Sequence, residues 1–170
     1  ETMLLGTDGF AIDPSDTATM WQDTGTATPV TTAADPVGHI RSKWGNTQYD
    51  FTQGTGASRP AWDGFRALVS DGVDDTLARG GSVVNTLADK ASGAVAAKYR
   101  RLGAGSGAAI ITQLSTVTTT NARFRLDVQN GRLRFVGRRL DADAQSVFDN
   151  AGAGNGGTVD TDYTVITQLD

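Results

Sequence analysis

The residues best suited to bind a ligand through their chemistry are three aspartates in one short run, Asp71-Gly72-Val73-Asp74-Asp75. Carboxylate oxygens are the hard ligands that Ca²⁺ takes, about six to eight at a time, together with carbonyl groups and water. The run predicts a calcium site with Asp71, Asp74 and Asp75 as ligands, and calcium is the one candidate cofactor. The alternative is an ordinary turn, in which such carboxylates accept backbone hydrogen bonds.

The residues that enzymes use for proton transfer are scarce in this chain. Glu1 is its only glutamate and His39 its only histidine. Glycoside hydrolysis needs two carboxyl groups across the scissile bond, so only a pair of aspartates could supply them. A Ser-His-Asp triad would have to use His39, and no Gly-x-Ser-x-Gly motif accompanies it. We therefore expect no catalytic residues and no enzyme activity, with His39 as a structural residue.

Aromatic and arginine side chains are the remaining candidates for binding a ligand. Sugar rings stack on aromatic faces, which makes Trp44, Trp62 and Tyr49 candidates. Arg138 and Arg139 offer the paired donors that grip anionic polysaccharide or phosphate. The alternative is that the tryptophans are core residues, because tryptophan is highly buried on average, and that the arginines pair with nearby aspartates.

The composition is that of a folded protein rather than of a membrane or disordered one. The chain has 170 residues, 38% of them hydrophobic, and no cysteine, so stability rests on packing without disulfides. Residues 1–75 carry eleven acidic and four basic side chains, whereas residues 76–170 carry eight and eleven. These modest totals argue against nucleic-acid binding, and no apolar run is long enough for membrane insertion.

The elements that must position these residues are short β-strands. Runs rich in Val, Ile, Thr, Phe and Tyr alternate with Gly, Asn and Asp, which is typical of strands and turns. The residues before Trp21 predict one helical turn, capped by Asp13 or Ser15, and 37–41 alternates like a strand. The predicted strands cover residues 3–5, 9–12, 47–52, 66–69, 94–98, 108–114, 123–129, 133–138 and 163–169.

One hairpin can be predicted with its register. Two alternating runs, 123–129 and 132–136, flank Asn130-Gly131, a pair that favours a two-residue type I′ turn. In that register Val128 faces Leu133 and Leu126 faces Phe135 on one side of the sheet. Gln129 faces Arg132 and Asp127 faces Arg134 on the other side, and the opposite charges of Asp127 and Arg134 contribute roughly 0.2–1 kcal/mol.

Three stretches together resemble a known family. They are residues 19–30 (TMWQDTGTATPV) leading into 35–40 (DPVGHI), residues 43–46 (KWGN) followed by 52–60 (TQGTGASRP), and residues 70–77 (SDGVDDTL). In this order they look like the front half of the laminin-G-like, concanavalin A-like lectin/glucanase domains found in tailed-phage, prophage and gene-transfer-agent appendage proteins. The resemblance implies an all-β, two-sheet antiparallel jelly-roll sandwich with little helix.

The resemblance also implies where the protein acts. We expect a module of a fibre or spike on the virion surface, contacting other virion proteins and binding host-surface polysaccharide, with a homo-oligomer, by analogy a trimer, as its assembly. The alternative is a purely structural virion protein that binds no sugar. Glucanases of this fold use glutamates that this chain lacks, so a polysaccharide-cleaving enzyme ranks last. We interpret residues 1–170 as one domain, and the strand that ends the chain suggests the N-terminal part of a longer protein.

Overall fold

The computed structural model describes residues 10–43, 50–79, 93–100, 109–115, 122–129, 132–137, 146–149 and 162–169. These residues form antiparallel strands and two short 3-10 helices, Thr17–Thr19 and Gly56–Ser58, and no α-helix occurs among them. The prediction of an all-β chain is confirmed at this level. No helix within the described ranges is long and apolar enough to cross a membrane.

The chain divides into two compact units, which we call the N-terminal unit (Glu1–Val83) and the C-terminal unit (Val84–Asp170). Each has its own antiparallel ladders. The interpretation of residues 1–170 as one domain stays a prediction.

Five two-residue strands make up the described sheets of the N-terminal unit. Three of them form a sheet in the order β1-β2-β3, and the other two form a hairpin, β4-β5. Such short strands follow from the frequent glycines and aspartates between them, which favour turns. The strands are β1 (Met20–Trp21), β2 (His39–Ile40), β3 (Phe51–Thr52), β4 (Ala61–Trp62) and β5 (Leu68–Val69).

A small apolar core joins the two ladders of the N-terminal unit. It consists of Met20, Val30, Val37, Ile40 and Trp62, with further apolar side chains packed against it. Burying each of the Met, Val and Ile side chains stabilises the unit by roughly 1.5–3 kcal/mol. The core therefore holds β1, β2 and β4 together, although each is only two residues long.

The C-terminal unit has longer strands. Four of them form a sheet in the order β10-β9-β8-β7, and β6 pairs with β11 in a separate ladder. Their lengths reflect the longer alternating runs in this part of the sequence. The strands are β6 (Gly93–Arg100), β7 (Ala109–Ser115), β8 (Ala122–Gln129), β9 (Arg132–Gly137), β10 (Ser146–Asp149) and β11 (Asp162–Leu169).

The register predicted for the hairpin is confirmed. β8 and β9 pair with Leu126 opposite Phe135, Asp127 opposite Arg134, and the flanking partners as expected. The structure adds that the Asp127–Arg134 pair is buried. Leu126 is fully buried and its neighbour Asp127 is only 1% exposed, so both faces of β8 are covered at this point. The sequence predicts the cross-strand partner of Asp127 but not its burial.

The other predictions of secondary structure agree with the structure in part. Strands β3, β5, β6, β7 and β11 coincide with predicted runs to within a few residues. Residues 10–12 are not a strand, which is a wrong prediction for that part of 9–12, and β4 and β10 were not predicted. The helical turn before Trp21 is a 3-10 helix over Thr17–Thr19, and Met20–Trp21 is already strand. The N-cap residue of this helix is Asp16, whose side chain makes no capping hydrogen bond. Asp13 instead accepts hydrogen bonds from the backbone amide and the hydroxyl group of Ser15.

Candidate functional site

The three stretches that carry the family resemblance are bonded to one another in the N-terminal unit. The Gly38 amide donates to the Trp21 carbonyl over 2.9 Å, and the Gln53 amide donates to the Gly38 carbonyl over 2.8 Å. The Thr76 amide donates to the Ser58 carbonyl over 3.1 Å. The stretches are thus parts of one backbone network, although they are distant in sequence.

Arg59 holds two of these stretches together. Its guanidinium donates to the carbonyl groups of Gln22, Gln53 and Gly54 over 2.9, 2.9 and 3.2 Å. Gly38 makes this approach feasible, because a Cβ at this position would lie 2.5 Å from the Gln22 oxygen and 2.9 Å from Arg59 Nε. The role of Arg59 is therefore structural, and no local pattern in the sequence indicates it.

An aromatic and ionic cluster lies beside this network; we call it the Trp21 cluster (Trp21, His39, Arg41 and Asp50). The guanidinium of Arg41 sits over the half-buried Trp21 ring, 4.8 Å from its centre. The His39 ring is tilted against Trp21 at 5.1 Å. Asp50 Oδ2 lies 3.1 Å from His39 Nε2 and 3.4 Å from Arg41 Nε.

Strand pairing explains why these side chains meet. Trp21 on β1 is directly opposite His39 on β2, and Arg41 lies two residues beyond His39, hence on the same side of the chain. The alternation of 37–41 therefore indicates that His39 and Arg41 share one side of the chain, whereas the pairing with Trp21 is a long-range contact that the local sequence does not predict. The sequence predicts a structural His39 but does not place Trp21 and Arg41 beside it.

The three aspartates predicted as calcium ligands are brought together. One oxygen from each of Asp71, Asp74 and Asp75 lies within 4.8 Å of the others. Each carboxylate also accepts a hydrogen bond: Asp71 from the Val73 amide, Asp75 from the Asp71 amide and Asp74 from the Ser58 hydroxyl. Such hydrogen bonds are the ones expected if the run is an ordinary turn, which is the alternative to a calcium site. Calcium binding stays a prediction.

Other carboxylates of the N-terminal unit are also used to close turns. Asp63 Oδ1 accepts the amides of Phe65, Arg66 and Ala67 over 2.7–2.9 Å. Hydrogen bonds from two threonine amides lower the pKa of Asp35, the Thr31 amide being the stronger influence. A carboxylate held ionised by backbone donors is poorly suited to act as a general acid near neutral pH.

Of the residues predicted to bind a ligand other than calcium, the structure describes only Trp62. Trp62 is 8% exposed and belongs to the core, where its indole N–H donates to the Pro14 carbonyl over 3.0 Å. This is the core role that the sequence left as the alternative. Trp44, Tyr49, Arg138 and Arg139 lie outside the described residues.

Comparison with known proteins gives no match. No protein-family model fits the chain, and no curated protein or solved structure is significantly similar to it.

Proposed function

We propose that this protein is a non-catalytic module of a phage-like virion appendage that contributes to binding of a host-surface glycan. The proposal includes a two-sheet jelly-roll sandwich, display on the virion surface in contact with other virion proteins, and assembly as a homo-oligomer, by analogy a trimer. The single observation that carries the binding role is the Trp21 cluster, where an aromatic ring and a guanidinium meet at the surface of the N-terminal unit.

The chemistry of the cluster suits an anionic sugar. Arg41 is 41% exposed at its side chain, so its guanidinium can still donate to a carboxylate or sulfate group of a polysaccharide. Trp21 is half-buried, and its remaining surface offers apolar area for a sugar ring. The adjacent residues 24–29 are exposed and include three threonines, whose hydroxyl groups can donate and accept hydrogen bonds.

Lack of catalysis is supported by how the carboxylates are used. Asp35, Asp63 and Asp75 each accept backbone amides, and the chain has one glutamate, Glu1, at its first position. Multivalent display offsets the weakness of a single shallow site, since linked copies gain avidity of roughly 10²–10⁴-fold when their geometry permits simultaneous binding.

The test compares two arginine–aromatic pairs in the same unit. Arg41 lies over Trp21, and Arg66 lies over Phe65 at 5.2 Å in the turn between β4 and β5. We expect Arg41→Ala or Trp21→Ala to weaken binding to purified acidic host polysaccharide about three- to tenfold. Arg66→Ala is the matched control and should bind like the parent protein. Equal affinities for the Arg41 and Arg66 variants would remove the Trp21 cluster from the proposal.

A structural virion role is the second candidate, and exposed apolar side chains favour it. Phe65 is 69% exposed and Val73 is 84% exposed, and aromatic side chains such as Phe65 are enriched where subunits meet. If this role is correct, the double variant Phe65→Ser with Val73→Ser should be incorporated into particles less than the parent protein is. The parent protein itself should show no detectable binding to the polysaccharide. Normal incorporation of the double variant would refute this role for the two side chains.

A further inference from the structure

Three contacts fix the position of Arg41 in the Trp21 cluster. Its backbone amide donates to the Thr19 carbonyl over 2.8 Å. Its Nε lies 3.4 Å from Asp50 Oδ2, and its guanidinium carbon lies over the Trp21 ring, 4.8 Å from the ring centre. The ring therefore covers one face of the planar guanidinium, and Asp50 occupies the edge at Nε.

The opposite edge of the guanidinium, formed by its two terminal amino groups, is left for a ligand. Neither Nη1 nor Nη2 of Arg41 donates a hydrogen bond to any residue that the structure describes, and the side chain is 41% exposed. Two other cations of the same unit are already committed. Arg59 donates to three backbone carbonyl groups, and Lys43 Nζ lies 2.8 Å from Asp13 Oδ2. Of these three cations, Arg41 is thus the one whose donors remain available to a bound molecule.

We infer that Arg41 receives a sugar carboxylate, of the uronic-acid class, end-on through Nη1 and Nη2, while the Trp21 ring positions the guanidinium. This inference rests on the proposed glycan-binding function and names the group that the site recognises. The two parallel N–H groups of this edge match the two oxygens of a carboxylate in one plane. The guanidinium is permanently charged in proteins, so the contact needs no titration.

A carboxylate suits this edge better than the other anionic groups of polysaccharides. A sulfate or phosphate ester carries a third terminal oxygen, which the two donors of Arg41 cannot serve. The part of the chain that contains the cluster is also acidic, since residues 1–75 carry eleven acidic and four basic side chains. This field opposes a phosphate monoester, with a charge of about −1.5 to −2 near pH 7, more strongly than a singly charged carboxylate.

Binding of multimerised protein to three immobilised polymers tests the inference: polygalacturonate, its carboxyl-reduced form and dextran sulfate. We expect polygalacturonate to be bound about fivefold or more tightly than the reduced polymer, which is the upper range for an exposed ion pair, and more tightly than dextran sulfate. Arg41→Lys keeps the charge but lacks the planar fork, so it should lose most of this preference. Arg66→Lys, at the pair of Arg66 with Phe65, is the matched control and should keep it.

The positioning role of Trp21 is tested on the same ratio of affinities for polygalacturonate and its reduced form. Trp21→Phe keeps an aromatic ring beside the guanidinium and should keep the ratio. Trp21→Leu should lower it about twofold or more, because the attraction between the cation and the ring is lost. A partly unfolded variant loses binding to both polymers alike, so misfolding alone leaves the ratio unchanged.

Three results would each overturn the assignment of Arg41. They are equal binding of polygalacturonate and its reduced form by the parent protein, tighter binding of dextran sulfate, and an Arg41→Lys variant that keeps the preference. If susceptible host cells are still bound in such a case, the glycan-binding function stands and the carboxylate assignment alone fails. If neither host cells nor any polymer is bound, both fail.

Discussion

The buried ion pair between Asp127 and Arg134 gives the sharpest stability prediction. Arg134 Nε and Nη2 donate to the two oxygens of Asp127 over 2.8 and 2.9 Å, which is a bidentate pair. Asp127 is 1% exposed. Removing one partner leaves a buried charge without its main counter-ion, and such changes cost about 3–5 kcal/mol. We therefore expect Arg134→Met to lower the free energy of unfolding by about this amount.

A double-mutant cycle separates the free energy of the ion pair from the free energy that is lost with side-chain packing. Asp127→Leu combined with Arg134→Met removes both charges and keeps apolar volume, so the double variant should be much closer to the parent protein than either single variant is. Arg100→Met is the surface comparison, because Arg100 pairs with Asp162 at the surface of the β6–β11 ladder. Its effect should be far smaller, since solvent screens exposed pairs.

Urea unfolding at neutral pH measures all four variants, with the m-value checked for constancy. A loss below about 1 kcal/mol for Arg134→Met, which is the range of surface ion pairs, would refute the argument from burial. A double variant as unstable as the single variants would refute the argument from pairing.

Three further predictions concern the N-terminal unit and the response to acid and metal. Gly38→Ala should cost roughly 1–3 kcal/mol in thermal or urea unfolding because its Cβ would overlap backbone, whereas Gly56→Ala, with no atom within 4 Å of its Cβ, should be neutral. The Arg100 hydrogen bond is the main cause that lowers the pKa of Asp162 from 3.8 to about 2. The stabilising contribution of the ionised Asp162 is therefore complete above pH 4 and is lost as the pH falls toward 2. Asp162→Asn should weaken the pH dependence of the free energy of unfolding in that interval. If calcium binds the acidic turn, adding it should raise the melting temperature of the parent protein but not of Asp74→Asn, and equal shifts in both would exclude this site.

Local sequence patterns predicted the C-terminal unit better than the N-terminal one. Strands β8 and β9 are long, alternating and joined by Asn130-Gly131, so their register followed from the period-2 pattern and the turn type. In the N-terminal unit each strand that the structure describes has two residues, which is too short for any periodicity. The position of β4 depends instead on the burial of Trp62 and on pairing with β5.

The candidate site was predictable only where sequence neighbours form it. Asp71, Asp74 and Asp75 are close in the chain, and the structure brings them together as the run suggested. The Trp21 cluster depends on pairing between β1 and β2 and on the position of Asp50 before β3, which are long-range contacts. Burial of Asp127 was missed for a related reason, because alternation along β8 marks one face as apolar but does not tell whether the other face is also covered.

The most direct test of the proposed function is binding of fluorescent, multimerised protein to susceptible host cells, with purified surface polysaccharide as competitor. We predict saturable binding that the polysaccharide abolishes and that Arg41→Ala weakens relative to Arg66→Ala. Absence of binding by the multimerised parent protein would contradict the glycan-binding proposal, and a role as a structural virion component would then be the better account.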